Sequence, residues 1–155
     1  MATETTKPPR LPPAWFKHFF WRAHRLLYRI LGARVLWTPK SKRGWGAMHL
    51  TTTGRKSGLE RTTPLVYMPL GDDVIVYPSN GGQEPSPAWW LNLQAEPVAI
   101  IQIGKERRQV RARAATESEY EELWPKAADY NPHWRSYKVT VARAIPLVLL
   151  ERVDV

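Results

Sequence analysis

Between Ala47 and Ala115 the chain is cut at short intervals by turn residues, and this spacing limits the possible folds more than any other feature. The pieces left over are Ala47 to Thr53, Arg61 to Met68, Val74 to Pro78, Val98 to Ile103 and Arg107 to Ala115, each too short for an ordinary helix and each patterned as a β-strand. Gly71-Asp72-Asp73 and Gly104-Lys105-Glu106 supply turns, so the first three runs predict an antiparallel meander and the last two a hairpin. Between these groups Pro85 and Pro87 introduce a short helix, Ala88 to Gln94, which Pro97 ends. Thr116 followed by Glu119 is a capping-box pair and predicts a helix to about Asp129, with acids in the first turn where the helix dipole favours them. Asn131-Pro132 interrupts it, a further helix is expected from His133 to Arg143, and Ile145 to Val153 reads as a closing strand. Five or six antiparallel strands with inserted helices predict an α+β fold built on a curled sheet or small barrel.

Ahead of this region the pattern is different. Met1 to Pro13 carries Pro8, Pro9, Pro12 and Pro13 and predicts a flexible arm with none of the apolar core of a signal peptide. From Ala14 to Leu31, Trp15, Phe16, Phe19, Phe20, Ala23, Leu26, Leu27, Ile30 and Leu31 fall on one helical face, opposite Lys17, His18, Arg22, Arg25 and Arg29. Such a helix either caps its own core or rests on an anionic membrane surface; it is too short in apolar run to span one. With 155 residues the chain is read as one domain, 14–155, carrying the arm 1–13.

Charge and cysteine usage narrow the chemistry. The net charge of +9 comes from the first third of the chain: twelve Lys and Arg and no acid lie between Thr5 and Leu59, against eleven cations and thirteen acids from Glu60 onward. Such a field attracts anions in general. Nucleic acid is not the expected partner, because zinc-finger spacing and an RNP1 motif are missing and the early aromatics sit on an apolar helix face. The absence of cysteine excludes disulfides, thiolate catalysis and thiolate-held metals, and fits a cytoplasmic setting, with the inner face of the membrane as a variant of it. His18, His24, His49 and His133 are dispersed without metal-ligand spacing, so no metal is expected and redox chemistry would have to be borrowed from a cofactor.

Two loops can carry a site. Thr51-Thr52-Thr53-Gly54-Arg55-Lys56-Ser57-Gly58 places two glycines, two cations and a hydroxyl on a hairpin tip, a combination suited to phosphate, although a plain glycine hairpin with solvated cations has the same composition. It is not a Walker loop, whose lysine follows the second glycine. The second loop, Ser79-Asn80-Gly81-Gly82, follows the third strand. Strands one and three of a meander run the same way, so both loops leave the sheet at one end. Gly81-Gly82 lets backbone approach a flat heteroaromatic ring, Trp89 can pack beside it or lie in the core, and Asn92 can position a loop.

Thr51 to Gly58, Arg61-Thr62-Thr63-Pro64-Leu65, Ser79 to Gly82 and Pro87-Ala88-Trp89-Trp90-Leu91-Asn92-Leu93 together resemble the deazaflavin-dependent nitroreductases, or F420H2-dependent quinone reductases, of actinobacteria and relatives. The resemblance runs from about Trp45 to Val153. It implies a split β-barrel of the kind that binds flavin mononucleotide, adapted to coenzyme F420 in preference to that flavin. It also implies Arg55, Lys56, Ser57, Gly58 and Arg61 at the cofactor phosphate, and Ser79, Asn80, Gly81 and Gly82 along the deazaflavin ring. Trp89 and Asn92 would support the pocket, and Trp134 and Tyr137 would face the substrate, with Tyr137 the proton donor. Asn80 stands where many members have lysine, a change that removes a charge-assisted contact worth roughly 1.5 to 3 kcal/mol.

The activity implied is hydride transfer from reduced F420 to an electron-poor acceptor: a quinone, a nitro compound or, as an ene reductase, an activated alkene. The alternative is a lipid, fatty-acid or membrane-surface binding protein of the same fold without turnover, with peripheral contact through helix 14–31.

Overall fold

The structure is a computed structural model and describes residues 46–153. The arm 1–13, the helix expected at 14–31 and therefore the membrane contact built on it lie outside the described residues. Six strands are present: β1 (Gly46–Thr53), β2 (Glu60–Leu70), β3 (Asp73–Val76), β4 (Val98–Ile103), β5 (Glu106–Ala114) and β6 (Val148–Arg152). They close into an antiparallel split barrel in the order β1, β2, β3, β6, β5, β4, with β4 returning to β1. Three helices complete the described residues: α1 (Ala88–Ala95), α2 (Glu117–Tyr130) and α3 (Pro132–Thr140).

The period of two along each strand decides what is inside. Met48 and Leu50 of β1, Val74 and Val76 of β3, Ala99 and Ile101 of β4, Val110 and Ala112 of β5, and Val148 and Leu150 of β6 fill the barrel, joined by Tyr67 of β2. The residues between them point out, and on one side they are covered: Met68, Ile75 and Leu149 pack with Leu123 and Ala127 of α2 and Trp134 of α3. Each strand on that side is thus apolar on both faces. Within the second cluster Tyr77 lies against Trp124 and Trp134, with ring centroids 5.2 and 5.6 Å apart. Tyr120 stacks on Trp124 at 5.6 Å, and the Lys138 ammonium sits 4.5 Å from the Trp124 ring, tying α3 to α2.

Helix starts follow their local chemistry. The Thr116 hydroxyl accepts from the Glu119 N–H while the Glu119 carboxylate accepts from the Thr116 N–H, a complete capping box. The Asn131 side chain accepts from the His133 N–H and Pro132 occupies the first turn of α3, where its missing N–H costs nothing. Helix α3 ends at Thr140, three residues before the expected Arg143. The Thr140 hydroxyl bonds back to the Ser136 carbonyl, and Val141 is already extended, as suits a β-branched residue. The last strand likewise starts late, at Val148 instead of Ile145, leaving 141–147 as a connection.

The pairing directions sort the molecule into two ends. One end carries two tight turns, Gly71-Asp72 and Gly104-Lys105, each with positive φ at its glycine, the first central position of the turn. The other connections among the described residues leave from the opposite end: the loop after β1, the loop and α1 after β3, and α2 and α3 after β5.

Candidate functional site

The loop after β1 is shaped by its own backbone. Gly54 accepts from the N–H groups of Ser57 and Gly58 at 3.1 and 2.7 Å and donates to Leu59, curling the tip. A Cβ at Gly54 would stand 2.9 Å from the Ser57 hydroxyl and 3.0 Å from the Leu59 carbonyl, so only glycine fits there. Ser57 accepts from the Leu59 N–H and, at 3.5 Å, from the Arg61 guanidinium. Arg55, Lys56 and Arg61 are exposed, and among the described residues none of them forms an ion pair with a carboxylate.

Asn92 of α1 joins this tip to the rest of the rim. Its side-chain oxygen accepts from the Arg55 N–H at 3.2 Å and from the Arg55 guanidinium at 3.3 Å, while its amide donates to the Thr52 hydroxyl at 3.1 Å. Asn92 and Thr52 are buried, so their bond is sheltered from water, and from that anchor Asn92 fixes the direction in which the cationic tip leaves β1. Thr52, buried on β1, was not among the sequence candidates; it carries no motif, and only the strand register brings it under α1.

The second loop is a run of three left-handed residues, Asn80, Gly81 and Gly82, with φ of 51, 62 and 77°. Asparagine is among the few side chains that accept that region, and its amide fastens the turn by donating to the Pro85 carbonyl at 2.9 Å. Here Asn80 is an architectural residue of the loop. Gly82 donates to the Ser79 carbonyl at 3.0 Å and is covered by Tyr137 of α3, whose ring would lie 3.1 Å from a Cβ at that position. Tyr137 is partly buried, and burial pushes its hydroxyl above the ordinary tyrosine value, so it stays protonated.

Two tryptophans stand deeper than the sequence reading implied. Trp89 is 6% exposed and packs into the barrel interior with Trp90 and Leu93, so α1 plugs the open end. Trp134 is 4% exposed and lies against Tyr77 beneath α3. Both rings back the rim from below, because an apolar surface of that size is worth more inside a small core than in solvent. Arg143 and Glu84 belong to the rim and were not anticipated. Arg143 donates to the carbonyls of Pro78 and Gln83, and the Glu84 carboxylate accepts from the Ala142 N–H.

A rim that carries an exposed cationic tip, a left-handed glycine loop and a protonated tyrosine can now be set beside known proteins. The profile of the F420H(2)-dependent quinone reductase family matches residues 21–152. The chain belongs to this family. Its membership makes it an F420H2-dependent oxidoreductase with coenzyme F420 as cofactor. It is 33% identical over 138 residues to an F420H(2)-dependent quinone reductase of Mycobacterium tuberculosis, covering 84% of this chain and 89% of that protein. The solved structure of an F420-H2 dependent reductase is similar at 30% identity and a TM-score of 0.62, over 68% of this chain and 93% of that one. A chain described as a domain-swapped dimer is similar at 27% identity and a TM-score of 0.66, over 89% and 100%.

The residues present fit the family's cofactor. Cations without carboxylate partners suit its phosphate, and the side-chain-free backbone at Gly81 suits a flat ring, with Gly82 buried beneath Tyr137.

Proposed function

We propose that this member of the family reduces a quinone-class acceptor, with nitro compounds and activated alkenes as further electron-poor acceptors, and that the two loops divide the cofactor between them. Arg55, Lys56 and Arg61 hold its phosphate, with Ser57 adding a hydroxyl donor and Gly58 the backbone freedom the tip needs. Ser79, Asn80, Gly81 and Gly82 edge the ring, and Asn92, on the helix that follows this loop, holds the cationic tip through Thr52 and Arg55. Trp89 and Trp134 support the rim from the core. When bound, the reduced deazaflavin supplies a hydride to the acceptor, and one proton completes the reduction. Tyr137 is the proposed source of that proton: it lies on Gly82, and its O–H is retained by burial. The protein contributes orientation and exclusion of water more than chemistry.

The observation that supports this reading is that the cationic tip and the glycine loop leave the barrel at the same end, the tip held by Asn92 of α1 and Gly82 covered by Tyr137 of α3. The test is titration of the full chain with F420, followed by fluorescence, then oxidation of F420H2 by menadione, a nitroimidazole and an enone. Lys56→Ala should weaken F420 binding by roughly 1.5 to 3 kcal/mol, about 10- to 150-fold. Turnover no faster than the protein-free rate with all three acceptors would end the proposal. Among the described residues no helix is long and apolar enough to cross a membrane.

A further inference from the structure

We infer that Arg143 is a positioning residue for the hydride-transfer site: it closes the neck of the ring-binding loop and locks that loop to the segment that follows α3. One guanidinium nitrogen, Nη2, donates to the Pro78 carbonyl at 2.8 Å and to the Gln83 carbonyl at 3.4 Å. These two carbonyls are the entry and exit of the left-handed run 80–82, so a single group gathers both ends of the loop. A second bond runs the other way, from the Ala142 N–H to the Glu84 carboxylate, at 2.6 Å. Loop 78–84 and connection 141–143 are therefore clasped reciprocally, next to the helix whose Tyr137 covers Gly82.

The arrangement is costly if stability were its purpose. The Arg143 Nε is buried and finds no acceptor, and a cation is spent on two neutral carbonyls. A hydrophobic residue would pack the connection with less desolvation. What the guanidinium adds is geometry, since one nitrogen of a rigid planar group is held in place to serve both carbonyls, where the ammonium of a flexible lysine is fixed less well. The loop it gathers has three consecutive left-handed residues, two of them glycines with wide conformational freedom, so its shape depends on what ties its ends. In this frame Arg143 sets the distance between the ring-binding backbone and the Tyr137 hydroxyl, and with it the alignment of hydride donor, acceptor and proton.

This inference rests on the assignment of residues 79–82 to the deazaflavin ring. The full-length wild type, Arg143→Lys and Arg143→Ala are compared for F420 dissociation constant, for kcat and KM with menadione, and for the emission spectrum of bound F420. Displacement of the loop should lower kcat of Arg143→Ala by ~10- to 100-fold, with a smaller change in KM. It should also shift the emission of the bound cofactor, and lysine or added guanidinium should restore part of the rate. A folded Arg143→Ala, checked by circular dichroism, with wild-type kcat and emission overturns the inference. So does a loss of rate in Arg143→Ala that tracks its melting temperature alone and that neither lysine nor guanidinium recovers. Failure of the wild type to bind F420 instead removes the cofactor assignment itself, and the two failures are read in separate measurements.

Discussion

Gly82 and Tyr137 illustrate how single residues divide the work on the rim. The glycine is required twice, once by its φ of 77° and once by the tyrosine ring that lies where a side chain would begin. Tyrosine contributes its face to packing and its hydroxyl to chemistry, so the two roles separate in Tyr137→Phe. That substitution keeps the ring and should lower kcat ~100-fold, the scale of a lost general acid, while the F420 dissociation constant changes little. The sign of the pH dependence follows from burial, which raises the hydroxyl above its ordinary value of 10.0. The proton is held up to and beyond that pH, and the rate should fall only on the alkaline side of it. In Tyr137→Phe this alkaline limb should be missing from a profile of kcat against pH. The glycine pair could be picked out from sequence because two glycines in a row have few uses, and Tyr137 from the family resemblance; the contact between them could not, because only the packing of α3 on the barrel brings Tyr137 over Gly82.

At the scale of elements, α2 shows how a helix start is wired into a barrel. The Glu119 that completes the capping box also receives two bonds from Arg113 of β5, at 2.7 Å each, and Arg113 bonds Glu151 of β6 at the same distance. Removing the cap with Thr116→Ala should cost about 1 kcal/mol, read from urea unfolding. Arg113 first, and then the Thr116 N–H, hold the Glu119 carboxyl down at about 2, below its ordinary 4.5. Since the folded value is the lower one, this contribution is present above pH 4.5 and is lost as pH falls toward 2. Melting temperature followed across that window should fall less steeply in Glu119→Gln than in the wild type. The capping box was legible because it is written within four consecutive residues. Arg113 was not, since its partners come from another strand and a helix, and the end of α3 was misplaced because Val141 turns extended where apolar period alone would continue the helix.

The whole molecule should be more sensitive to base than its many cations suggest. Tyr67, inside the barrel, is pushed up to about 12, chiefly by desolvation, and burial also raises Tyr77, Tyr130 and Tyr137. Their folded values lie above the unfolded one, so the stability they lend is complete below pH 10 and is lost as pH rises through the folded values. The urea midpoint should therefore drop between about pH 10 and 12, and Tyr67→Phe should flatten the drop. The barrel itself was legible from strand length and turns, and so was the shared end of the two loops, because alternation of direction follows from short connections alone. The fate of Trp89 and Trp134 was not, since a tryptophan suits a binding wall and a core equally well until the core's volume is known. Among the described residues, the far end of the barrel bears the turns Gly71-Asp72 and Gly104-Lys105, the start of β1 and the end of β6. In a chain without cysteine, Asp72→Cys would give a unique thiol there. Anchored to a bead or an electrode through that point, the enzyme would stand with its working face turned to the solution.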